Sequence, residues 1–183
     1  MTMLFKETKL KGAYIIEPER LEDTRGFFAR AWCQKEFEAY GLNLTVAQIN
    51  ISFNKNRGVI RGLHYQTRPN EEAKLIRCIR GAIYDVIIDL RPNSPTYLGW
   101  IGEELTADNR KMLYVPENFA HGYQSLKDNT EVFYPVSQFY SPESVKGVRW
   151  NDPTFGIKWP EADNPIISEQ DKKWLDYSPV KKP

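Results

Sequence analysis

Along most of the chain, apolar residues come in short runs broken by Gly, Pro, Asn or Asp. Short runs rich in β-branched and aromatic residues, bounded by such punctuation, read as strands. "GAYIIEP" predicts a strand over residues 13–17 that Pro18 stops. "DTRGFFARAW" predicts a turn over 23–26 with a strand behind it. "CQKEFEAYGL" is the best helix: Phe37 and Tyr40 stand three apart, and Gly41 is placed to end it. "VAQINISFN" alternates loosely, and "GVIRGLHYQ" carries Gly at both ends of a short apolar run. The strongest β signal is "AKLIRCIRGAIYDVIIDLRPNSPTY", where runs 75–79 and 82–90 meet at Gly81 and a Pro pair closes the stretch. Runs 100–105 and 111–115 then bracket a polar turn, and Pro116 and Gly122 punctuate the residues around His121. "TEVFYPVSQFY" is a further strand, which Pro135 assigns to an edge or a bulge. The remainder reads as Pro-rich loop with a short helix after Ser168.

Many short strands and one good helix imply a β-sandwich or barrel. A doubly wound α/β fold needs more helices than the pattern supplies. A length of 183 residues fits one domain over 1–183 with room for a core. The net charge of +1 gives no electrostatic case for nucleic acid or a membrane surface. Aromatics make up 13% of the residues, which favours sheets and also suits a pocket for a flat ligand. Cys33 and Cys78 form no close-spaced metal or redox motif, so a reducing cytosol is expected. No run is long enough for a signal peptide or a bilayer span, and no linker or repeat divides the chain.

The chain has two histidines, and each follows a Gly- or Pro-rich turn among polar or amphipathic neighbours. On a barrel strand His64 and Gln66 share one face, with Gly62 on the same side giving room. A transition-metal site needs three or four His and carboxylate ligands; here Gln66 stands where a second ligand is expected, and Glu71 and Glu72 are weak substitutes. The expectation is that no metal is required. Metal-free acid–base chemistry suits the residues better: a histidine to abstract a proton beside a carbonyl, a carboxylate to orient it, a cation such as Lys74 near the enolate oxygen, and a tyrosine to return a proton. Spacing does not choose the tyrosine or the carboxylate, and by spacing alone Arg61 and Lys74 read as solvated surface charges.

"DTRGFF", "QINISF", "GVIRGLHYQ", "AKLIRCIRGAIYDVIIDLRPNSPTY", "LYVPENFAHGY", "GVRWNDPTFGIKWP" and "ISEQD" occur in fixed order over nearly the whole length. In these stretches the chain resembles the dTDP-4-dehydrorhamnose 3,5-epimerase family. The resemblance implies an all-β, cupin-type double-stranded β-helix (jelly-roll) barrel with short peripheral helices. It implies an isomerase acting on a nucleotide-diphospho-4-keto-6-deoxyhexose without a cofactor, in the supply of rhamnose for cell-surface polysaccharide. His64 matches the base, Asp171 the carboxylate paired with it, Tyr134 the acid on the other face, and Lys74 the lysine near the C-4 oxygen. Arg25 and Arg61 match residues near the substrate and its diphosphate. Gln48, Asn50 and His121 match further pocket residues, and Phe28, Gln66 and Tyr140 are expected substrate neighbours. Family members are homodimers that exchange N-terminal strands, a part the "YII" strand is suited to play.

Three positions depart from the family pattern. Arg30 and Val145 replace frequent glutamates, and Gln170 replaces a frequent lysine. Either neighbouring residues do the same work, or recognition has changed. The second option implies a CDP-linked or other nucleotide-linked 4-ketosugar, or epimerisation at C-3 or C-5 alone. Two further alternatives are a silent cupin that only binds a sugar nucleotide and a metal-dependent cupin oxygenase.

Overall fold

The computed structural model describes residues 2–179. Its elements in chain order are β1 (Met3–Glu7), β2 (Tyr14–Pro18), β3 (Arg20–Asp23), β4 (Gly26–Ala29), α1 (Gln34–Ala39), β5 (Gln48–Asn54), β6 (Val59–Gln66) and β7 (Lys74–Arg80). They continue with β8 (Ala82–Asp89), β9 (Trp100–Thr106), β10 (Met112–Val115), β11 (Phe119–Ser125), β12 (Thr130–Val136), β13 (Val145–Gly147), β14 (Ile166–Ile167) and a 3₁₀ turn over Asp171–Lys173. One sheet has the order β1-β2-β10-β7-β12-β5; the other runs β13-β6-β11-β8-β9, with β14 added to β6. β3 and β4 form a separate hairpin. The architecture is the all-β, cupin-type jelly roll with two short peripheral helical turns.

Apolar alternation explains the layers. Ile76, Cys78, Ile83, Ile87, Leu105, Leu113 and Val132 fill the space between the sheets. The opposite faces are covered too. Val86 and Ile88 of β8 pack under Phe155, Ile157 and Trp159. Ile16, Leu75 and Met112 pack under Phe37 of α1 with Leu42 and Leu44. The nearly unbroken apolar run of β8 follows from burial on both faces. Each fully buried aliphatic side chain contributes about 1.5–3 kcal/mol.

Several elements differ from the sequence reading. The stretch around His121 is a full strand: Asn118 turns the chain with φ of 62°, and β11 then runs between β6 and β8. Pro135 lies in an interior strand, between β5 and β7, and not at an edge. The sheet tolerates it because pairing with β7 passes from Phe133 to Val136 and skips Tyr134 and Pro135. The register shift of β12 falls elsewhere, between Glu131 and Val132. Phe37 is buried, but Tyr40 sits at the end of α1, half exposed and stacked on Phe5 at 4.2 Å. The strand expected from "GAYIIEP" does form: within this chain β2 pairs with β1 and β10, and both isoleucines are buried. The tail is more than loop, since it roofs the second sheet.

Candidate active site

A cleft of about 450 Å³ opens between the two sheets. The first sheet lines it with Gln48, Asn50 and Ser52 of β5, Lys74 of β7 and Tyr134 of β12. The second lines it with Arg61, His64 and Gln66 of β6, His121 and Tyr123 of β11 and Val145 of β13. Ser168, Gln170 and Asp171 come from the tail.

Arg61 and His64 are an odd number of residues apart, so a regular strand would send them to opposite faces. The register against β11 shows why both reach the cleft. His121 pairs with His64, but Tyr123 pairs with Arg61, so β6 carries one extra residue. This is a β-bulge, which re-aims side chains. Gly62 is part of it, with φ of 115°. It does not simply leave room in the cleft: a Cβ here would lie 2.6 Å from Gly122 Cα and 2.7 Å from the His121 carbonyl oxygen.

His64 Nε2 lies 2.6 Å from Asp171 Oδ1. Asp171 also accepts the Trp174 indole N–H at 3.2 Å and, more weakly, the Gly62 N–H at 3.4 Å. Burial acts to raise the Asp171 carboxyl, but His64 and these donors outweigh it and hold the group below the usual carboxylate range. With Nε2 held by the carboxylate, Nδ1 is the ring nitrogen left for a substrate.

Lys74 pairs with Glu72 at 3.0 Å, and both side chains are largely buried. Neither reads as a solvated surface charge. Arg61 is exposed at the cleft wall, as the spacing predicts, and is held there by donating to Asn54 Oδ1 at 2.8 Å and to the Phe53 carbonyl at 3.1 Å. Asn54 in turn donates to the Tyr123 hydroxyl, which is 2.8 Å from Ser52 Oγ. The Tyr134 phenol is raised, first by burial and then by Tyr123 and Glu72, with Arg61 opposing. It is therefore protonated at neutral pH and able to give a proton.

His121 Nε2 lies 2.7 Å from Asp85 Oδ1. Asp85 is fully buried; burial raises its carboxyl, with His121 and Lys74 acting the other way. Its second oxygen has no hydrogen-bond partner among the described residues. Among the described residues no group of three or more His, Cys, Asp or Glu converges as a metal site.

The structure gathers His64, Asp171, Tyr134, Lys74, Arg61, Gln48, Asn50, Gln66, His121, Tyr140 and Val145 around the cleft. Gln66 is there, but its amide is committed to the chain. It accepts the Ser141 N–H at 2.7 Å and donates to the carbonyls of Asn70 and Phe139. Gln48 accepts the Tyr140 N–H at 2.6 Å. Three expected residues do not line this chain's cleft. Arg25 pairs with Asp23 and Phe28 is exposed, both on the β3–β4 hairpin, which belongs to neither large sheet. Arg30 follows the hairpin and pairs with Glu36 of α1 at 2.8 Å. The sequence reading missed Ser52, Asp85 and the place of Glu72. Asp85 did leave a signal, a lone carboxylate inside the apolar run of β8.

Comparison with known proteins shows the family. The family model of dTDP-4-dehydrorhamnose 3,5-epimerase matches residues 7–178. The dTDP-4-dehydrorhamnose 3,5-epimerase of Methanothermobacter thermautotrophicus is 45% identical over 180 residues, covering 96% of each chain. The crystal structure of the Bacillus anthracis enzyme of that name, with TDP and PPi bound, superimposes with a TM-score of 0.92 at 41% identity, over 96% of this chain and 100% of that one. NovW of Streptomyces spheroides, a 4-keto-6-deoxy sugar epimerase, gives a TM-score of 0.89 at 36% identity over 96% of this chain and 88% of its own. The chain belongs to the dTDP-4-dehydrorhamnose 3,5-epimerase family.

Proposed function

We propose that this protein epimerises a nucleotide-diphospho-4-keto-6-deoxyhexose, converting dTDP-4-dehydro-6-deoxy-D-glucose to dTDP-4-dehydro-L-rhamnose. The observation that carries this reading is the opposition of two proton-transfer groups. His64, backed by Asp171, stands on the second sheet, and Tyr134 stands on the first, across one cleft. Inversion of a carbon needs a proton taken from one face and supplied to the other.

In the proposed reaction, His64 Nδ1 takes the proton from a carbon next to the C-4 carbonyl. The C–H electron pair moves into the enolate, whose charge gathers on the C-4 oxygen near Lys74. Asp171 stabilises the imidazolium without taking its proton. Tyr134 then protonates the same carbon from the opposite face. C-3 and C-5 both flank the carbonyl, so one keto group acidifies both positions and no cofactor has to supply an electron sink. Arg61 lies on the cleft wall as a cation for the diphosphate.

The test is deuterium uptake. In deuterated water the substrate should gain deuterium at C-3 and C-5, followed by NMR. His64→Ala should abolish exchange, while Tyr134→Phe should retain part of it and slow inversion. Turnover without deuterium uptake, or none with any 4-ketosugar, overturns the reading; the latter leaves a silent sugar-nucleotide-binding cupin.

A second reading is favoured by Val145 and Gln170, which leave the cleft mouth without charge at those positions. It is epimerisation at one carbon, or of a CDP-linked or other nucleotide-linked 4-ketosugar. A panel of dTDP-, CDP-, UDP- and GDP-linked substrates separates the two.

The functional unit in this proposal is a cytosolic homodimer. Ile49, Ile51 and Phe53 of edge strand β5 are exposed together, beside a groove lined by Trp32, Ile79 and Phe133. Leu21, Phe27 and Phe28 of the hairpin are exposed as well. A second copy would cover these surfaces and bring Arg25 and Phe28 to the neighbouring cleft. Light scattering at micromolar concentration tests this, and a monomer mass rejects it.

A further inference from the structure

We propose that Trp174 is a positioning residue for proton transfer: its indole, seated on Gly147, pins the Asp171 carboxylate against His64. The inference rests on His64 acting as the base.

Three observations meet at this point. First, the 3₁₀ turn over Asp171–Lys173 brings Trp174 back over the carboxylate, and the indole N–H donates to Asp171 Oδ1 at 3.2 Å. That oxygen is the one His64 Nε2 approaches at 2.6 Å. Second, the Trp174 ring meets the His64 ring edge-on, with centroids 6.0 Å apart and planes at 65°. Third, Gly147 pairs directly with His64 across the β13–β6 ladder. A Cβ at Gly147 would lie 2.2 Å from Trp174 Cε2 and 2.3 Å from Cδ2. The indole lies against bare backbone beside the base, in space that any side chain would take.

The chemistry follows from which freedoms remain. A carboxylate can rotate about its own axis and offer either oxygen to the histidine. The indole N–H fixes Oδ1, and the Gly62 N–H approaches Oδ2. The ring also shelters the carboxylate: the Asp171 side chain is 7% exposed, whereas His64, facing the cleft, is 37% exposed. A fixed carboxylate fixes the histidine tautomer, because the nitrogen that donates to it must carry the proton. Trp174 thus keeps the lone pair on Nδ1.

The test uses the fact that the chain has two histidines. Nitrogen-15 shifts of the neutral rings report each tautomer separately, with His121 as internal control. Wild type should show His64 as the Nε2–H form. Trp174→Phe keeps a ring and removes the donor; Gly147→Ala keeps the indole and displaces it. In both, His64 should become a mixture of tautomers while His121 is unchanged. With the substrate, kcat should fall by about ten-fold, the scale of a lost hydrogen bond to a charged group, and KM should stay within about two-fold. An unchanged His64 tautomer in variants with wild-type thermal unfolding overturns the inference. So does a Trp174 indole proton that exchanges with solvent at the free rate in the wild-type protein, a measurement needing no folded variant. Absence of any epimerase activity would overturn the functional reading and leave the tautomer result to decide this one.

Discussion

His64 and His121 stand directly opposite each other on β6 and β11, yet each gives its Nε2 to a different carboxylate, Asp171 at 2.6 Å and Asp85 at 2.7 Å. The His64 side chain is 37% exposed and that of His121 only 9%. One imidazole is open to a substrate and the other is packed in the cleft wall. His64→Ala should therefore remove proton exchange altogether, a loss of about 10²–10⁴-fold or more. His121→Ala should retain exchange at a reduced rate, since it removes a polar wall and not the base. Steady-state rates and deuterium uptake for the two variants check this. Equal loss of exchange in both would reject the division of roles.

Asp171 links the cleft to acid stability. Its folded carboxyl is held below the ordinary value of about 3.9. The unfolded chain therefore takes up the proton more readily as pH falls. The contribution is complete above the unfolded value and is lost as pH drops through the folded one. Asp171→Asn should cost about 1–3 kcal/mol at pH 7, and the gap from wild type should narrow below about pH 4. Urea unfolding of both proteins at pH 7 and pH 3 measures it, and a gap that widens in acid would contradict the account.

Gly62→Ala should destabilise the fold by about 3 kcal/mol or more, among the larger effects of a single methyl group. The new Cβ meets backbone at 2.6 Å, and the residue holds φ of 115°. No flexible side chain is there to give way. Denaturant midpoints decide the matter; a loss within experimental error would mean that the bulge relaxes.

Val145 and Arg30, both departures from the family pattern, should separate in their effects. Val145 lies on β13 opposite Gln66 and lines the cleft. Val145→Glu should shift the ratio of kcat/KM for dTDP- and CDP-linked forms of one 4-ketosugar by about ten-fold or more, because it adds a buried acceptor that only some donors satisfy. Arg30 pairs with Glu36, which also accepts the Met3 N–H at 2.8 Å. Arg30→Glu should lower the melting temperature through like-charge contact and leave that ratio alone. A ratio that follows Arg30 and ignores Val145 would reverse the assignment.

How much of this was legible before the structure depended on range. Runs such as 75–79 and 82–90 declare themselves because local periodicity carries the signal. β11 did not, because Gly122 and the polar residues around it look like loop, and only its two neighbours make it a strand. Pro135 misled for the same reason: proline chemistry is local, whereas the gap in the β7 pairing that accommodates it is tertiary. In the site, alternation put His64 and Gln66 on one face correctly but could not bring Arg61 to it, since the bulge appears only in the register with β11. Asp171 came from family resemblance; nothing local ties it to a histidine 107 positions away. Arg25, Phe28 and Arg30 were expected at the cleft, and one chain does not bring them there.

The tail that supplies Asp171 also leads us to expect an order of events during folding. Every other group around His64 in the second sheet belongs to β6, β11 or β13, whose ladders close without residues 166–174. β14 then adds to β6 in parallel, and the turn after it delivers the carboxylate. Closing a loop of this span costs entropy that increases only slowly with length, so the join is thermodynamically mild although distant in sequence. The barrel can therefore take shape as a container before it becomes competent to move a proton. Refolding followed by bulk tryptophan fluorescence and by recovered turnover should show turnover lagging, with competence gained only when the last turn docks.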